Sequence, residues 1–400
     1  MRVTPVAILA FVSLLACGVD SPPRAGSEEL QAVRVFEAQT SGYAHYRVPA
    51  ITVSPAGTVM VVVEARESSS GDWGLQDILL RRSYDRGLTW DEPRKIVQLE
   101  GEPEQNEAAL AQGLSEPGVQ TYNNIVPIPD EQEGVVHFLV CSAYARAYYM
   151  RTSDDGETFS EPVDITETFE RFRDEYDWKV IATGPGHGIR HSSGRLIVPV
   201  WLSDGTGGHA HRPSIASTIY SDDAGASWER GDVVVRHPEL KNPSETLAVE
   251  LSDGSVMLNI RNESQEHRRA VTVGPDGATG WSPIRFDNAL VEPICMGSLL
   301  RVGGVLLFAN PDSTEPRDAT NPLGNWKRQN LSIRLSDDDG MTWPHKRVIE
   351  PGVSGYSDLA AGPDGSVYCV YEDGTPTDRG THVKYVTVAR FDADWVRAIH

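Results

Sequence analysis

Short runs of aliphatic, β-branched and aromatic residues alternate along the chain with clusters of Gly, Asp, Asn and Pro. Runs of this kind, bounded by turn-forming residues, are typical of strands in an all-β protein. From Val33 onward they predict strands at residues 50–53, 58–63, 135–141, 196–201, 256–260, 305–308 and 367–371. After the N-terminal segment no helical period is sustained, and the best helix candidate, residues 104–112, is short.

A turn motif of the form Ser/Thr-x-Asp-x-Gly-x-Ser/Thr-aromatic occurs four times, at residues 83–90, 152–159, 221–228 and 336–343. In such a hairpin the Asp caps turn amides, the Gly takes a positive φ, and the aromatic ring packs on the sheet. We therefore expect structural roles for Asp85, Asp154, Asp223 and Asp338. These residues are 69, 69 and 115 positions apart, which predicts repeated β units in a radial arrangement, one of them lacking the motif.

The charge of the chain limits its partners. Acidic residues outnumber basic ones by 57 to 36, which gives a formal net charge of −21. This excess argues against nucleic acid and against an anionic lipid surface. An anionic ligand is still compatible with the composition, but only through a local cluster of arginines.

The N-terminus predicts export. Met1-Arg2 is followed by the apolar run 6–16, which has the features of a signal sequence and is too short to span a bilayer comfortably. The run ends in Leu-Leu-Ala-Cys17-Gly, which resembles the bacterial lipobox, whose Cys is lipidated. We expect a lipoprotein-type signal at residues 1–17, a flexible tether at 18–32 and one folded domain at 33–400, in a protein that is lipid-anchored or secreted. Ordinary signal cleavage beside an incidental Cys17 is the alternative.

The other cysteines are Cys141, Cys295 and Cys369, three residues at wide spacings. Their number and spacing predict neither a disulfide framework nor a CxxC metal clip. Buried free thiols are the expectation.

The turn motif resembles the Asp-box of sialidases and related propellers, and the resemblance extends over the whole mature domain. Tyr46-Arg47-Val48-Pro49 resembles the sialidase motif whose Arg binds the substrate carboxylate, and segment 385–391 resembles the last strand of the family. The resemblance implies a six-bladed β-propeller. Asp-boxes alone are weak evidence for activity, because propellers of other functions also contain them.

The resemblance also implies a set of site residues. Asp72 would be the acid/base, Glu245 the group that activates the nucleophile, and Tyr356 the nucleophile itself. The substrate-binding residues would be Arg47, Arg66, Arg261 and Arg328. Their segments in this chain are Glu64-Ala65-Arg66, Gly71-Asp72, Ser244-Glu245, Asn259-Ile260-Arg261-Asn262, Lys327-Arg328-Gln329-Asn330 and Gly355-Tyr356-Ser357-Asp358-Leu359.

Physical chemistry explains these residue types. A sialic acid bears a carboxylate on its anomeric carbon, which guanidinium groups bind by charge-assisted, bidentate hydrogen bonds. A carboxylate nucleophile would be repelled by that group, whereas a neutral phenol is not, and sialidases with Tyr are the recognised exception among retaining glycosidases. A phenol needs a neighbouring base at neutral pH, which gives Glu245 its role. This chemistry requires no metal or other cofactor.

Some assignments have competitors in the sequence. Arg334 lies near Arg328, Glu250 follows Glu245, and Asp77 follows Asp72. A structural role, in ion pairs or turn capping, is the alternative for each residue taken singly. His187, His209 and His211 are expected at the rim or in a substrate subsite and not at a metal site, because no third ligand is evident beside the His209–His211 pair.

Together these features predict an exported, monomeric, retaining exo-α-sialidase that acts on sialylated glycoproteins, glycolipids or oligosaccharides. The alternatives are the same machinery acting on a related nonulosonic acid or by intramolecular trans-glycosylation, and a non-catalytic glycan-binding propeller. Residues 101–120 and 204–212 are expected to be exposed insertions that shape the aglycone side of the pocket.

Overall fold

A computed structural model describes residues 30–68, 71–321, 324–377 and 380–398. The predicted signal segment 1–17, its Cys17 and most of the predicted tether lie outside these residues. The first strand begins at Gln31, two residues before the expected start of the domain. Within the described ranges, no helix is long and apolar enough to cross a membrane.

The described part contains 25 strands and three five-residue helices. The strands are β1 (Gln31–Glu37), β2 (His45–Val53), β3 (Val59–Arg66), β4 (Gln76–Ser83), β5 (Arg94–Lys95), β6 (Tyr122–Asp130), β7 (Val135–Ser142), β8 (Arg146–Thr152), β9 (Val163–Asp164), β10 (Val180–Thr183), β11 (Ile189–Arg190), β12 (Leu196–Ser203), β13 (Ser214–Ser221), β14 (Glu229–Arg230), β15 (Val235–Arg236), β16 (Thr246–Glu250), β17 (Val256–Ile260), β18 (Arg268–Gly274), β19 (Arg285–Val291), β20 (Ser298–Val302), β21 (Val305–Pro311), β22 (Gln329–Ser336), β23 (His345–Ala361), β24 (Val367–Thr377) and β25 (Gly380–Phe391). The helices are α1 (Glu107–Ala111), α2 (Thr166–Glu170) and α3 (Ala393–Arg397).

These elements confirm the all-β prediction. Every predicted strand lies within an observed one, apart from a one-residue difference at the start of β3, and α1 lies inside the predicted helical segment. Helices α2 and α3 were not predicted, because five residues are too few to show a helical period. As expected, Cys141, Cys295 and Cys369 are buried free thiols.

The strands form antiparallel sheets built from consecutive strands. Strands β2–β5, β6–β9 and β16–β19 make three four-stranded sheets, and β10–β15 make a six-stranded sheet. The remaining strands form one seven-stranded sheet in the order β1-β25-β24-β23-β22-β21-β20. The sheets thus comprise four separate blade-like units and one larger sheet, whereas the sequence predicted six separate blades. The reason is that β23 runs on without a break, pairing with β22 through its first half and with β24 through its second.

Six strands, at least one from every sheet, contact one another in a closed ring. Contacts run from β2 to β6, from β6 to β11, from β11 to β16, from β16 to β20, from β20 to β23, and from β23 back to β2. The N-terminal strand β1 pairs with the C-terminal strand β25, so both ends of the described chain lie in one sheet. Side chains that point inward from these strands therefore meet around a common axis, although they are far apart in the sequence.

The hairpin turns have the hydrogen bonds that their sequence predicts. Asp154 accepts bonds from the amide and hydroxyl of Thr158 at 2.9 and 2.6 Å, and from the hydroxyl of Thr152 at 2.8 Å. The other three copies repeat these bonds, around Asp85, Asp223 and Asp338. The structural role predicted for the four aspartates is confirmed.

Each of these turns also packs its glycine against the preceding sheet. A Cβ atom added at Gly225 would lie 2.5 Å from Cζ of Tyr149 on β8, and one at Gly156 would lie 3.1 Å from Leu80 on β4. Gly340 approaches Met257 as closely, at 3.1 Å, whereas a Cβ at Gly87 would make ordinary van der Waals contact with Tyr368 at 3.6 Å. Glycine is needed here both for the positive φ and for the close approach of neighbouring sheets.

Hydrophobic clusters fill the spaces between neighbouring sheets. One of them joins Leu139 on β7 to Val198 on β12 and to Phe169 on α2, all three fully buried. Such close-packed walls hold the inner strands at fixed positions. The residues that face the axis are therefore carried on a rigid frame.

We expect Gly225→Ala to destabilise the domain by about 3 kcal/mol, since a strained positive φ adds to a steric clash with Tyr149. The matched control is Gly254→Ala, where φ is +82° and no atom lies within 4 Å of an added Cβ. Strain alone predicts a loss of about 1 kcal/mol there. Denaturant unfolding gives both values, and equal losses would show that the glycine contact between sheets contributes nothing.

Candidate active site

The residues predicted from the sequence converge at one end of the ring of inner strands. Arg47 lies on β2, Tyr356 on β23 and Arg66 at the end of β3. Glu245 immediately precedes β16, Arg261 immediately follows β17, and Arg328 immediately precedes β22. Asp72 lies in the loop between β3 and β4. The seven side chains come from three different sheets, so only the closed ring brings them together.

The hydroxyl of Tyr356 lies between a carboxylate and a guanidinium. It donates a hydrogen bond to Glu245 Oε1 at 2.5 Å and accepts one from Arg261 Nη1 at 2.7 Å. Burial raises the pKa of Tyr356. The positive charge of Arg261 opposes this rise, and the negative charge of Glu245 offsets part of that opposing effect. For Glu245 itself, burial raises the pKa, but the charge of Arg261 and the Tyr356 hydrogen bond outweigh it, so the pKa is lowered. The pair is a neutral phenol beside an ionised base.

Three guanidinium groups surround the ring of Tyr356. The Cζ atoms of Arg47 and Arg261 are each 5.9 Å from the ring centre, and that of Arg328 is 5.4 Å away. Arg261 also pairs with Glu245, and Arg328 donates to the carbonyl oxygen of Ile294 at 2.5 Å. This arrangement presents several N–H donors to an anion placed above the phenol.

Glu372 supports this cluster and was missed in the sequence. Its buried carboxylate accepts bonds from Arg47 Nε at 2.7 Å, from the Val48 amide at 2.9 Å and from the Tyr356 amide at 3.1 Å. Gly355 must lack a side chain, because a Cβ there would collide with this carboxylate. The available signal was a charged residue that follows the apolar run of β24, a position at which burial requires a partner.

Arg66 and Glu64 hold the loop that carries Asp72. Arg66 Nη2 lies 2.6 Å from Glu64 and 3.4 Å from Asp72 Oδ1, and Nη1 donates to the Gly71 carbonyl at 2.5 Å. The side chain of Arg66 is 1% exposed and that of Asp72 is 49% exposed. Arg66 therefore lies beneath Asp72, and its direct contact with substrate stays a prediction.

The acidity of Asp72 follows from these surroundings. Burial raises the pKa of Asp72, but the positive charges of Arg66, Arg47 and Arg261, together with that of His211 once acid has protonated it, outweigh this effect and lower the pKa to about 2. The unliganded site thus holds Asp72 as a carboxylate at neutral pH.

The three residues that competed for these assignments have partners outside the cluster around Tyr356. Arg334 pairs with Asp312 at 3.0 Å, and Asp77 binds the Tyr43 hydroxyl and Lys95, both at 2.7 Å. Glu250 accepts from the Ser192 amide at the opposite end of β16 from Glu245. The geometry therefore favours Arg328, Asp72 and Glu245 over these three neighbours.

Two of the three histidines lie at the rim, as expected. The insertion 204–212 brings His209 and His211 to the cleft beside Asp72. The expectation is wrong for His187, whose Nδ1 lies 2.7 Å from Asp358 on the ring axis and which lines a cleft at the far end of the inner strands. This histidine lies in the glycine-rich segment 184–188, where a Cβ at Gly188 would lie 2.8 Å from the carbonyl oxygen of Ile197.

Two small clefts adjoin at Tyr356 and Gly355. One, of about 210 Å³, contains Asp72, Glu245 and Arg261, and the other, of about 210 Å³, contains Arg47 and Arg328. In the described ranges, no group of three or more His, Cys, Asp or Glu residues is placed to hold a metal ion.

Known proteins are similar to this chain in sequence and fold. The sialidase of Micromonospora viridifaciens is 29% identical over 393 residues, which cover 90% of this chain and 53% of that protein. The Hadza microbial sialidase superposes with a TM-score of 0.73 at 25% identity, covering 91% of this chain and 69% of that one. The Ruminococcus gnavus intramolecular trans-sialidase gives a TM-score of 0.69 at 16% identity, covering 91% and 98% of the two chains, a likeness of fold alone.

The chain thus spans about half the length of the Micromonospora relative. The sequence profile of the BNR repeat-like domain matches residues 105–369. Because that match covers about two-thirds of the 400 residues, the chain belongs to the BNR repeat-like family.

Proposed function

We propose that this protein is a retaining exo-α-sialidase that removes terminal sialic acid from glycoproteins, glycolipids or oligosaccharides. The observation that carries the proposal is the Tyr356 hydroxyl, 2.5 Å from Glu245 and surrounded by three guanidinium groups. A module that only binds acidic glycans would need the arginines but not a phenol paired with a base. The sialidase relatives support the same reading.

In the proposed first step, Arg47, Arg261 and Arg328 bind the substrate carboxylate and hold the anomeric carbon against Tyr356. The phenol oxygen attacks that carbon as its proton passes to Glu245. The bond to the aglycone oxygen breaks, and protonated Asp72 gives this oxygen its proton. The product of the step is a sialyl–tyrosine intermediate and a free aglycone.

The second step reverses the proton transfers. Asp72, now a carboxylate, takes a proton from water, whose oxygen attacks the anomeric carbon. The bond to Tyr356 breaks, and Glu245 returns the proton to the phenol. Free sialic acid leaves with its anomeric configuration retained, and every side chain is restored.

Substrate binding also prepares Asp72 for its acid role. The arginines hold the pKa of Asp72 at about 2 in the unliganded site. A bound carboxylate neutralises part of their positive charge, which raises the pKa of a nearby carboxyl group. Protonated Asp72 therefore becomes more populated when the substrate is present.

We also propose that the domain is a six-bladed propeller, acting as a monomer. Strand β23 pairs on two sides through different halves, so the seven-stranded sheet divides into two four-stranded blades. The closed ring of six inner strands supports the same count.

Tyr356→Phe should lower the hydrolysis of a fluorogenic α-sialoside by at least about 10³-fold, because the nucleophilic oxygen is absent. Binding of a 2,3-didehydro sialic acid analogue should persist, since the arginines remain. The paired measurements are initial rates and calorimetric titration. A variant that keeps its activity would disprove the nucleophile, and a native protein that binds the analogue but cleaves no sialoside would indicate a binding propeller. A 2,7-anhydro sugar as the native product would identify trans-glycosylation.

The pH profile tests Glu245. Since its pKa is lowered, the ionised base persists below the ordinary glutamate value, and the acid limb of kcat/KM on an aryl sialoside should lie below about pH 4.3. Arg328→Met removes a positive charge that favours ionised Glu245, so the limb should move to higher pH. The position of the limb is the measurement, since its height also reflects weaker substrate binding. A limb that stays in place contradicts the assignment.

We further propose that the protein acts outside the cytoplasm, anchored by lipid at Cys17. The support is the apolar run and the Leu-Leu-Ala-Cys-Gly sequence. Cys17→Ser should move the protein from the membrane fraction to the soluble one after expression in a bacterium, and Cys141→Ser is the matched control. Equal membrane fractions for the Cys17 variant and the native chain would exclude the lipid anchor.

A further inference from the structure

His211 lies beside the predicted acid/base in a pocket of aromatic rings. Its ring centre is 4.9 Å from that of Tyr144, 5.1 Å from that of Trp201 and 5.6 Å from that of Trp73. Its Nδ1 atom is 3.9 Å from Asp72 Oδ2. Because Trp73 is the next residue after Asp72, the same packing fixes the histidine and the loop that carries the carboxyl group.

The two oxygens of Asp72 face different partners. Oδ1 is 3.4 Å from Arg66, which lies beneath the loop, and Oδ2 faces His211. The Asp72 side chain is otherwise half-exposed to the cleft. A carboxyl group with one long contact on each oxygen can rotate, so a second anchor is needed to aim it at the leaving oxygen.

The neutral form of His211 can donate a hydrogen bond that holds the Asp72 carboxyl group. Burial lowers the pKa of His211 to about 4, against the opposing effect of Asp72, so the imidazole is neutral at neutral pH. A neutral imidazole has one N–H. Nε2 is buried and has no hydrogen-bond partner within the described part of the chain, whereas Nδ1 faces a carboxylate oxygen. The hydrogen-bond environment therefore assigns the proton to Nδ1.

Charge explains why a neutral donor fits this position. Arg66, Arg47 and Arg261 already face Asp72 with positive charge, and Glu64 lies behind Arg66. His209, Glu245 and Arg212 are the other charged or titratable groups that act on His211. A further permanent cation beside Asp72 would oppose its protonation. A neutral N–H can orient the carboxyl group without adding charge.

Resting on the proposed sialidase function, we propose that His211 is a positioning residue for Asp72. A movement of less than about 1 Å closes the 3.9 Å gap to hydrogen-bond distance. Nδ1–H then donates to Asp72 Oδ2 and directs the carboxyl group at the glycosidic oxygen. No bond to substrate is made by His211 itself.

The test compares a poor leaving group with a good one. Protonation by Asp72 matters for 3′-sialyllactose, whose leaving group is an alkoxide, and little for an aryl sialoside, whose phenolate leaves unaided. His211→Phe keeps the aromatic packing but removes the donor. We expect kcat/KM to fall by about 10- to 100-fold on sialyllactose and by less than about threefold on the aryl substrate. His211→Asn, with an amide N–H near the position of Nδ1, should recover much of the loss.

Two further variants calibrate the result. Asp72→Asn should show the same substrate selectivity with a larger loss. His345→Phe is the matched control, because His345 Nε2 also lies 3.9 Å from an aspartate, Asp337, in a turn that does not line the cleft. It should leave both rates unchanged.

The outcomes separate two questions. A native protein that cleaves neither substrate overturns the proposed function. If the native protein is active, equal losses on the two substrates in His211→Phe, or an Asn variant no better than Phe, overturn the positioning role alone. A selective loss with recovery in Asn supports it.

Discussion

A buried carboxylate on the axis holds the inner strands together. Asp358 accepts hydrogen bonds from the Ile51 amide on β2 at 3.1 Å and from the Ser298 hydroxyl on β20 at 2.9 Å, and His187 lies 2.7 Å from it. A buried charge is tolerated only when it is paired in this way, and loss of its partners costs several kcal/mol. Tyr356 lies two residues before Asp358 on β23, beside an irregularity in the pairing with β24 between Ser354 and Ser357. Asp358 therefore anchors the strand that carries Tyr356.

The same requirement shapes the cleft. Three of the four predicted arginines there have a carboxylate partner: Arg47 pairs with Glu372, Arg66 with Glu64, and Arg261 with Glu245. These pairs allow cations to accumulate in one place in a protein that is acidic overall. They also fix the donors before any ligand arrives, so the electrostatic field needs little reorganisation.

Much of this arrangement could be predicted from the sequence, and some of it could not. Local patterns predicted the strands and the capping role of Asp154, because both depend on neighbouring residues. The convergence of Tyr356 with Glu245 followed from motifs. Glu372 escaped prediction because its partner Arg47 is 325 positions away. The place of His187 depends on its contact with Asp358, which is 171 positions away. The sequence also did not predict that two blades merge through β23. Turn-forming residues mark where a strand can end, but they do not show that one strand continues from one blade into the next.

The pairing of β1 with β25 has a mechanical consequence. Strand β1 is the outermost strand of its sheet, and β25 and β24 separate it from β23, which carries Tyr356. Tension applied at Gln31 would act on hydrogen bonds that run from Gln31–Arg390 to Glu37–Tyr385 and would open them one after another from the edge. Two intact strands would shield the strand that carries Tyr356 from this strain. When a force acts on the N-terminal side of β1, this edge strand would therefore separate from β25 before the geometry of the cleft is disturbed.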